Sequence, residues 1–204
     1  MSELSTLNDR IRACMNCPLG RPEGTADDGT TSYHVPGEGP KNARIVIVGE
    51  APGAEEERTG RPFIGRSGRL LTEILAAAGL DRDRIFITSI CKCRPPKNRT
   101  PLKPERAACT PWLMAQLDLI RPQIILAVGN VPTQTLLGVR TGIKALRGRF
   151  HSCHIGKREV PLRPLFHPAY LLRNPRRTPG SPWDLMLGDL IEVRAYLEGN
   201  PEQP

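Results

Sequence analysis

The stretch RIVIVGEAPG, residues 44–53, decides the fold of this chain. Its apolar part, residues 45–48, consists only of isoleucine and valine and is stopped by Gly49. A short run of β-branched residues bounded by glycine is typical of a buried strand. The loop GEAPG that follows lies at the carboxyl end of this strand, where open parallel sheets bind their ligands.

Strand and helix patterns alternate along the remainder of the chain. Strands are predicted at 85–90, 123–129 and 164–167, and a hairpin with a turn near Gly156 at 148–163. Helices are predicted at 66–79, within 104–120, around 131–138 and at 182–198. The start of the second helix stays open, because both Pro104 and Pro111 suit a first turn. This alternation predicts an α/β fold with a parallel sheet covered on both faces.

Length and composition predict one domain over residues 1–204, with the N-terminal cysteine segment packed on it and a tail frayed from about residue 199. The chain is 39% hydrophobic and contains 19 glycines, which excludes a disordered, collagen-like or coiled-coil protein. No apolar run approaches the ~20 residues of a membrane span, and the N-terminus lacks the pattern of a secretory signal. We therefore expect an intracellular, cytoplasmic protein with no membrane partner.

The net charge of +8 is concentrated in two segments. Residues 140–180 contain ten Lys or Arg against one acid, Glu159, and residues 84–106 contain seven against Glu105. Clustered basic side chains bind phosphates by releasing counterions, which favours nucleic acid as a partner. A solvated basic surface without such a partner is the alternative.

Six cysteines stand in a chain expected to be reduced, where thiols are metal ligands or packing residues rather than disulfides. Two pairs are candidates for metal ligands: Cys14 with Cys17, and Cys93 with Cys109. Four thiolates suit zinc or a 4Fe–4S cluster. A zinc ribbon usually has two closely spaced cysteine pairs, so the fifteen residues between Cys93 and Cys109 argue against one. A third interpretation is that the thiols are buried and bind no metal. Cys91 and Cys153 stand apart and are interpreted as packing residues.

Three unusual segments fall at predicted carboxyl ends of strands: GEAPG (49–53), CKCRPP (91–96) and HPAYLLR (167–173). The second segment continues as CKCRPPKNRTP (91–101). Together with TGRPFIGRSG (59–68) and the four paired cysteines, these motifs resemble, in chain order, the family 4 uracil–DNA glycosylases. No single motif is sufficient, but the combination is highly specific and covers most of the chain.

This resemblance implies a three-layer α/β/α sandwich around a central four-stranded parallel sheet. It implies a monofunctional enzyme that hydrolyses the N-glycosidic bond of deoxyuridine in DNA and leaves an abasic site. It also implies a 4Fe–4S cluster held by Cys14, Cys17, Cys93 and Cys109. The partner is then uracil-containing DNA, single- or double-stranded, bound by a monomer that associates with the nucleoid.

The resemblance assigns two catalytic residues. Glu50 orients the attacking water or stabilises positive charge on the sugar, and His167 donates a hydrogen bond to the departing uracil. Without the resemblance, Glu50 is an ordinary loop carboxylate and a lone histidine is usually structural. His167 nevertheless ends a strand and precedes a proline, as an active-site loop residue would.

Substrate and DNA contacts follow from the same resemblance. Phe63 stacks on the flipped base and Glu56 occupies the space of a thymine methyl, although Glu56 also belongs to a run of three glutamates typical of a solvated surface. The remaining substrate contacts are Ala51, Gly53 and Ser89. DNA contacts are assigned to Arg66 and Ser67, where helix amides hold a phosphate, and to the wedge formed by Leu171, Leu172 and Arg173.

One residue departs from the family pattern. Ser89 stands where the family has an asparagine that reads the uracil edge. A hydroxyl is shorter than an amide and offers one donor instead of two. A glycosylase for hypoxanthine or xanthine therefore stays open as an alternative. A noncatalytic iron–sulfur DNA-binding module is disfavoured, because such a protein needs neither GEAPG nor HPAYLLR.

Overall fold

Four parallel strands form the centre of the molecule, in a computed structural model that describes residues 2–20 and 32–200. The strands are β1 Ile45–Gly49, β2 Ile85–Ser89, β3 Ile124–Val128, β4 His151–Ile155 and β5 Arg158–Leu165. They lie in the order β2-β1-β3-β5-β4, and β4 alone pairs antiparallel, on β5. All five residues of β1 are buried, as predicted from their uniform apolarity.

Eight α-helices cover the sheet in the described ranges. Their bounds are α1 Glu3–Arg12, α2 Ala54–Thr59, α3 Arg66–Ala77, α4 Lys103–Ile120, α5 Asn130–Leu137, α6 Ile143–Leu146, α7 Pro168–Arg173 and α8 Pro182–Gly199. The helices predicted from periodicity correspond to α3, α4, α5 and α8. Helix α4 starts at Lys103, which places Pro104 in its first turn and Pro111 in its interior.

The predicted α/β/α sandwich is confirmed, with one correction to the sheet. It has five strands and not four, because the first arm of the hairpin joins the edge as β4. The second arm and the strand predicted at 164–167 are one continuous strand, β5. Pro161 and Pro164 divide the apolar pattern of this segment, yet both are paired within the sheet, opposite Ser152 and Ala127 respectively.

Two apolar cores lie on opposite faces of the sheet. Alternate residues of β1 divide between them: Ile45 and Ile47 pack on the face covered by α3, α7 and α8, while Val46 and Val48 pack on the face covered by α4. Because side chains alternate across a strand, β1 needs apolar residues at every position. This arrangement leaves the carboxyl ends of the parallel strands open for a site.

The N-terminal helix packs against α4. Helix α1 buries Leu4, Leu7 and Ile11, and the Gln116 amide of α4 donates to Asn8 Oδ1 at 2.9 Å. Of the predicted frayed tail, residues 201–204 lie outside the described residues, whereas Gly199 still belongs to α8. Within the described part of the chain, no helix is long and apolar enough to cross a membrane.

Candidate active site

Predicted site residues gather where β1 and β2 end, and this cluster around Gly49 is called the candidate pocket below. Gly49 closes β1, and a Cβ atom built on it would lie 2.6 Å from Cε2 of Phe63 and 3.0 Å from Oγ of Ser89. The aromatic ring and the hydroxyl therefore approach the same backbone position, which any residue larger than glycine would obstruct. Phe63 and Ser89 are both buried, at 9% and 5% exposure. The structure thus brings two predicted base-contacting residues together around Gly49.

His167 enters this pocket from the carboxyl end of β5. Its ring centroid lies 6.3 Å from that of Phe63. His167 is the N-cap of α7, and its Nδ1 accepts a hydrogen bond from the backbone N–H of Ala169 at 3.1 Å. Because Nδ1 accepts, the neutral ring carries its proton on Nε2.

The charge state of His167 is set by its surroundings. Burial, followed by the positive charge of Arg173, lowers the pKa of His167 to about 4, against the opposing effect of Glu56. The imidazole is therefore neutral at pH 7 and presents a single N–H donor at Nε2. A neutral donor suits hydrogen bonding to a base that leaves as an anion.

Glu50 lies directly beyond β1 and is partly buried. Burial raises the pKa of its carboxyl, while a hydrogen bond from the side chain of Thr100 and the charge of Arg106 act in the opposite direction. These two residues were not identified from the sequence. Thr100 lies in the basic segment after CKCRPP, but nothing in that segment indicates which residue faces Glu50.

Glu56 organises the loops of the pocket. Its Oε1 accepts from the backbone N–H groups of Ile64 at 2.9 Å and Gly65 at 2.8 Å, and its Oε2 accepts from Gly53 at 3.1 Å. The carboxylate therefore joins the loop of Ala51 and Gly53 to the loop that carries Phe63. Its exclusion of a thymine methyl stays a prediction.

The predicted DNA contacts separate into exposed and buried residues. Arg66 is exposed in the first turn of α3, with Ser67 partly exposed beside it. In α7, Leu172 and Arg173 are exposed, whereas Leu171 is 2% exposed and packs in the core. The prediction that Leu171 enters DNA is corrected accordingly, because successive residues of a helix point in different directions.

The basic side chains of segment 140–180 do not all contribute to one exposed surface. Arg163 is buried and pairs with Asp189 at 2.6 Å, and Arg147 pairs with the same carboxylate at 2.8 Å. Two others bridge to acids elsewhere, Arg158 to Asp118 and Arg177 to Glu73. The count of basic residues therefore overstates the charge available to a polyanion.

Four cysteines approach one another beside the pocket. They follow α1 (Cys14 and Cys17), follow β2 (Cys93) and lie in α4 (Cys109), and none is in a disulfide. The pKa of the Cys93 thiol is raised by burial first and then by the negative charges of the other three. Across residues 2–20 and 32–200, no group of three or more His, Cys, Asp or Glu side chains is arranged to hold a metal ion.

Two N–H groups point at these sulfurs. Trp112 Nε1 donates to Cys14 Sγ at 3.2 Å, and the backbone N–H of Lys92 donates to Cys109 Sγ at 3.3 Å. Such bonds stabilise the thiolate, the form that binds metals. Cys91 and Cys153, interpreted from the sequence as packing residues, are both buried.

Lys92 connects the cysteines to the pocket. Its buried Nζ donates to Ser89 O at 2.8 Å, Gln116 Oε1 at 2.7 Å and Thr88 Oγ1 at 2.5 Å. A buried ammonium needs such a complete set of acceptors. The end of β2, which carries Ser89, is therefore anchored to the segment between Cys91 and Cys93.

The fold and the pocket agree with comparisons to known proteins. Residues 36–190 match the family described as Uracil DNA glycosylase superfamily. A Type-4 uracil-DNA glycosylase of Thermotoga maritima is 41% identical over 172 residues, which is 84% of either chain. One of Pyrobaculum aerophilum is 39% identical over 178 residues, 85% of this chain and 86% of the relative.

A Type-5 uracil-DNA glycosylase of Thermus thermophilus is similar at 32% identity over 171 residues, 71% of this chain and 76% of the relative. The chain belongs to the uracil-DNA glycosylase superfamily and, within it, to the type-4 family.

Proposed function

We propose that this protein is a monofunctional DNA glycosylase that hydrolyses the N-glycosidic bond of deoxyuridine and leaves an abasic site in DNA. The observation that carries the proposal is the neutral His167, whose Nδ1 accepts from Ala169 while its ring lies beside Phe63. A nucleobase stacked on Phe63 would meet the Nε2–H donor at its edge. The names of the type-4 relatives support uracil as that base.

Different residues of the site act in base flipping, base binding and bond cleavage. Flipping the nucleotide out of the stack costs a few kcal/mol, which stacking on Phe63 and contacts from the exposed Leu172 and Arg173 offset. Ser89 presents its hydroxyl to the base. As the glycosidic bond breaks, the Nε2–H of His167 donates to the uracil oxygen that gains negative charge.

Glu50 acts on the sugar side of the bond. Its carboxylate stabilises the positive charge that develops on the sugar and orients the water that attacks it. Thr100 and Arg106 favour the ionised form against the effect of burial. The water oxygen forms a bond to the sugar carbon while the glycosidic bond breaks, and uracil departs as an anion with its electron pair. The water transfers one proton to the Glu50 carboxylate, from which it passes to solvent and then to the released uracil.

The four approaching cysteines, Cys14, Cys17, Cys93 and Cys109, are the residues that would hold a 4Fe–4S cluster. Their N–H···S bonds and the absence of disulfides suit thiolate ligands. When bound, the cluster would crosslink the end of α1, the segment after β2 and the middle of α4. Free cysteines and a DNA substrate support a cytoplasmic, nucleoid-associated location.

Ser89 favours a second substrate class. Its hydroxyl is shorter than an amide and makes fewer bonds to a base edge, so the pocket discriminates less strongly among deaminated bases. Hypoxanthine or xanthine in DNA is therefore the alternative substrate.

The test is incubation with labelled oligonucleotides that carry one U, hypoxanthine or T, followed by alkaline cleavage of abasic sites. We expect cleavage at U, and at hypoxanthine only if Ser89 relaxes discrimination. Glu50→Gln and His167→Ala should each lower the rate by about 10²–10³ with little change in DNA binding. Glu55→Gln, at an exposed carboxylate of α2, is the matched control and should retain activity. DNA binding without cleavage at any base would contradict the proposal.

A further inference from the structure

Phe63, whose ring is proposed to stack on the base, has an unfavourable backbone conformation. Phe63 adopts φ 50°, in the left-handed region. For a residue with a side chain this conformation is strained and persists only when its surroundings hold it. Gly68 packs against this position so closely that a Cβ on it would lie 1.9 Å from the carbonyl oxygen of Phe63.

Arg82 holds this strained turn from one side. Its Nη1 donates to the carbonyl oxygen of Phe63 at 2.9 Å, and its Nη2 donates to that of Pro62 at 2.8 Å. Nη1 also donates to Thr72 Oγ1 at 2.9 Å, and Glu38 lies 3.5 Å from Nη2. The side chain is only 16% exposed, so these bonds form largely out of water, where they are strongest.

Glu56 holds the same turn from the other side, through the N–H groups of Ile64 and Gly65. The carbonyl oxygens of residues 62 and 63 therefore accept from the guanidinium of Arg82, and the N–H groups of residues 64 and 65 donate to the carboxylate of Glu56. A guanidinium binds two neighbouring acceptors at once because its donors form a rigid fork, which lysine lacks.

We propose that Arg82 is a positioning residue for the base-stacking ring: by binding the carbonyl oxygens of Pro62 and Phe63, it keeps Phe63 in the conformation that places its ring over Gly49. The proposal rests on the function proposed above. Arg82 touches no substrate and acts only through Phe63. Its loss therefore affects base stacking and not the chemistry of Glu50 or His167.

The test is a double-mutant cycle between Arg82→Met and Phe63→Ala, with single-turnover excision of uracil and inhibition by free uracil as readouts. Arg82→Met should lower the excision rate by about 10–100-fold, the cost of losing hydrogen bonds to a charged group, and should weaken inhibition by uracil. In the Phe63→Ala background the same change should have little further effect, because coupled residues are not additive. Arg84→Met, at an exposed arginine two residues away, is the control and should change neither readout.

A second measurement separates this inference from the proposed function. Amide hydrogen exchange at Phe63, Ile64 and Gly65 should be faster in Arg82→Met, and unchanged in Arg84→Met, whether or not the protein excises uracil. Arg82→Lys replaces Arg82→Met if the latter does not fold, with the same expectations. The positioning role would be overturned if the Arg82 variant had the same effect with and without the Phe63 ring, or if amide exchange at residues 63–65 were unchanged. Failure of the wild type to excise any base would overturn the function alone.

Discussion

The backbone N–H of Ala169 donates to Nδ1 of His167 at 3.1 Å, and this single bond determines that the neutral ring carries its proton on Nε2. Together with burial, which lowers the pKa of His167 to about 4, it makes the histidine a neutral Nε2–H donor. The histidine needs no proton from solvent before the reaction. The pH dependence of the enzyme should therefore come from another group.

That group is Glu50, whose pKa is raised by burial. Activity needs the carboxylate, so the rate should be constant at neutral pH and fall as pH falls through the raised pKa of Glu50. This loss should begin at higher pH than for an ordinary carboxylate, with a further loss near pH 4 as His167 gains a proton. Single-turnover rates at constant ionic strength measure this profile. An inflexion near pH 6.5 that survives in Glu50→Gln would contradict it, because it would assign the titration to a histidine.

Substitutions at Ser89 test whether the hydroxyl reads the base. Ser89→Ala should lower the rate on uracil by about 10–100-fold, since a buried hydrogen-bond partner is lost at a cost of about 1–3 kcal/mol. Ser89→Asn should raise it, because an amide offers two donors and an acceptor. Single-turnover rates of the three forms on U and hypoxanthine make the comparison. If Ser89→Asn leaves the uracil rate unchanged or abolishes it, residue 89 does not read the base.

Iron content tests the cysteine cluster. Anaerobically prepared protein should be brown and contain about four irons per chain. Cys14→Ala, Cys17→Ala, Cys93→Ala and Cys109→Ala should each lose iron and lower the melting temperature, because ligation contributes to folding. Cys153→Ala, at a buried thiol on β4, should keep its iron. Zinc in place of iron in the wild type would contradict the assignment.

Salt dependence tests the DNA surface around α7. Arg173 is exposed beside the pocket, whereas Lys157 lies in the β4–β5 turn at the opposite end of the sheet. If Arg173 binds a phosphate, Arg173→Ala should reduce the slope of log K against log salt by about 0.9. Lys157→Ala should leave the slope unchanged. Equal slopes for both variants would place Arg173 away from the DNA.

Much of the fold could be predicted because its signals are local. The β-branched run before Gly49 identifies β1, and helical spacing of apolar residues identifies α3 within one or two residues of its observed ends. Helix α2 was missed because it is short and polar, with no buried residue. Helix α1 is not predicted either, because it is mostly polar and only three of its residues, Leu4, Leu7 and Ile11, are buried.

The candidate site was predicted less completely than the fold, because some of its residues are recognised only by their contacts in the tertiary structure. Motifs placed Glu50 and His167 at strand ends and Phe63 in the segment TGRPFIGRSG, and the structure brings Phe63 and His167 together. Arg82 belongs to no motif, and Thr100 has no assigned role within CKCRPPKNRTP. Their importance comes only from contact with the carbonyl of Phe63 and with Glu50, respectively.

The sequence by itself determined the alternation of strands and helices, the order of the motifs and the family to which they belong. Only the tertiary structure decided that Leu171 is buried while Leu172 is exposed, and that Arg163 is used in an internal ion pair with Asp189. The physical reason is that strand and helix patterns depend on neighbouring residues, whereas burial and charge pairing depend on contacts between distant ones. Arg82 and Phe63 are 19 residues apart, and only packing of α3 against the strands brings them into hydrogen-bonding distance.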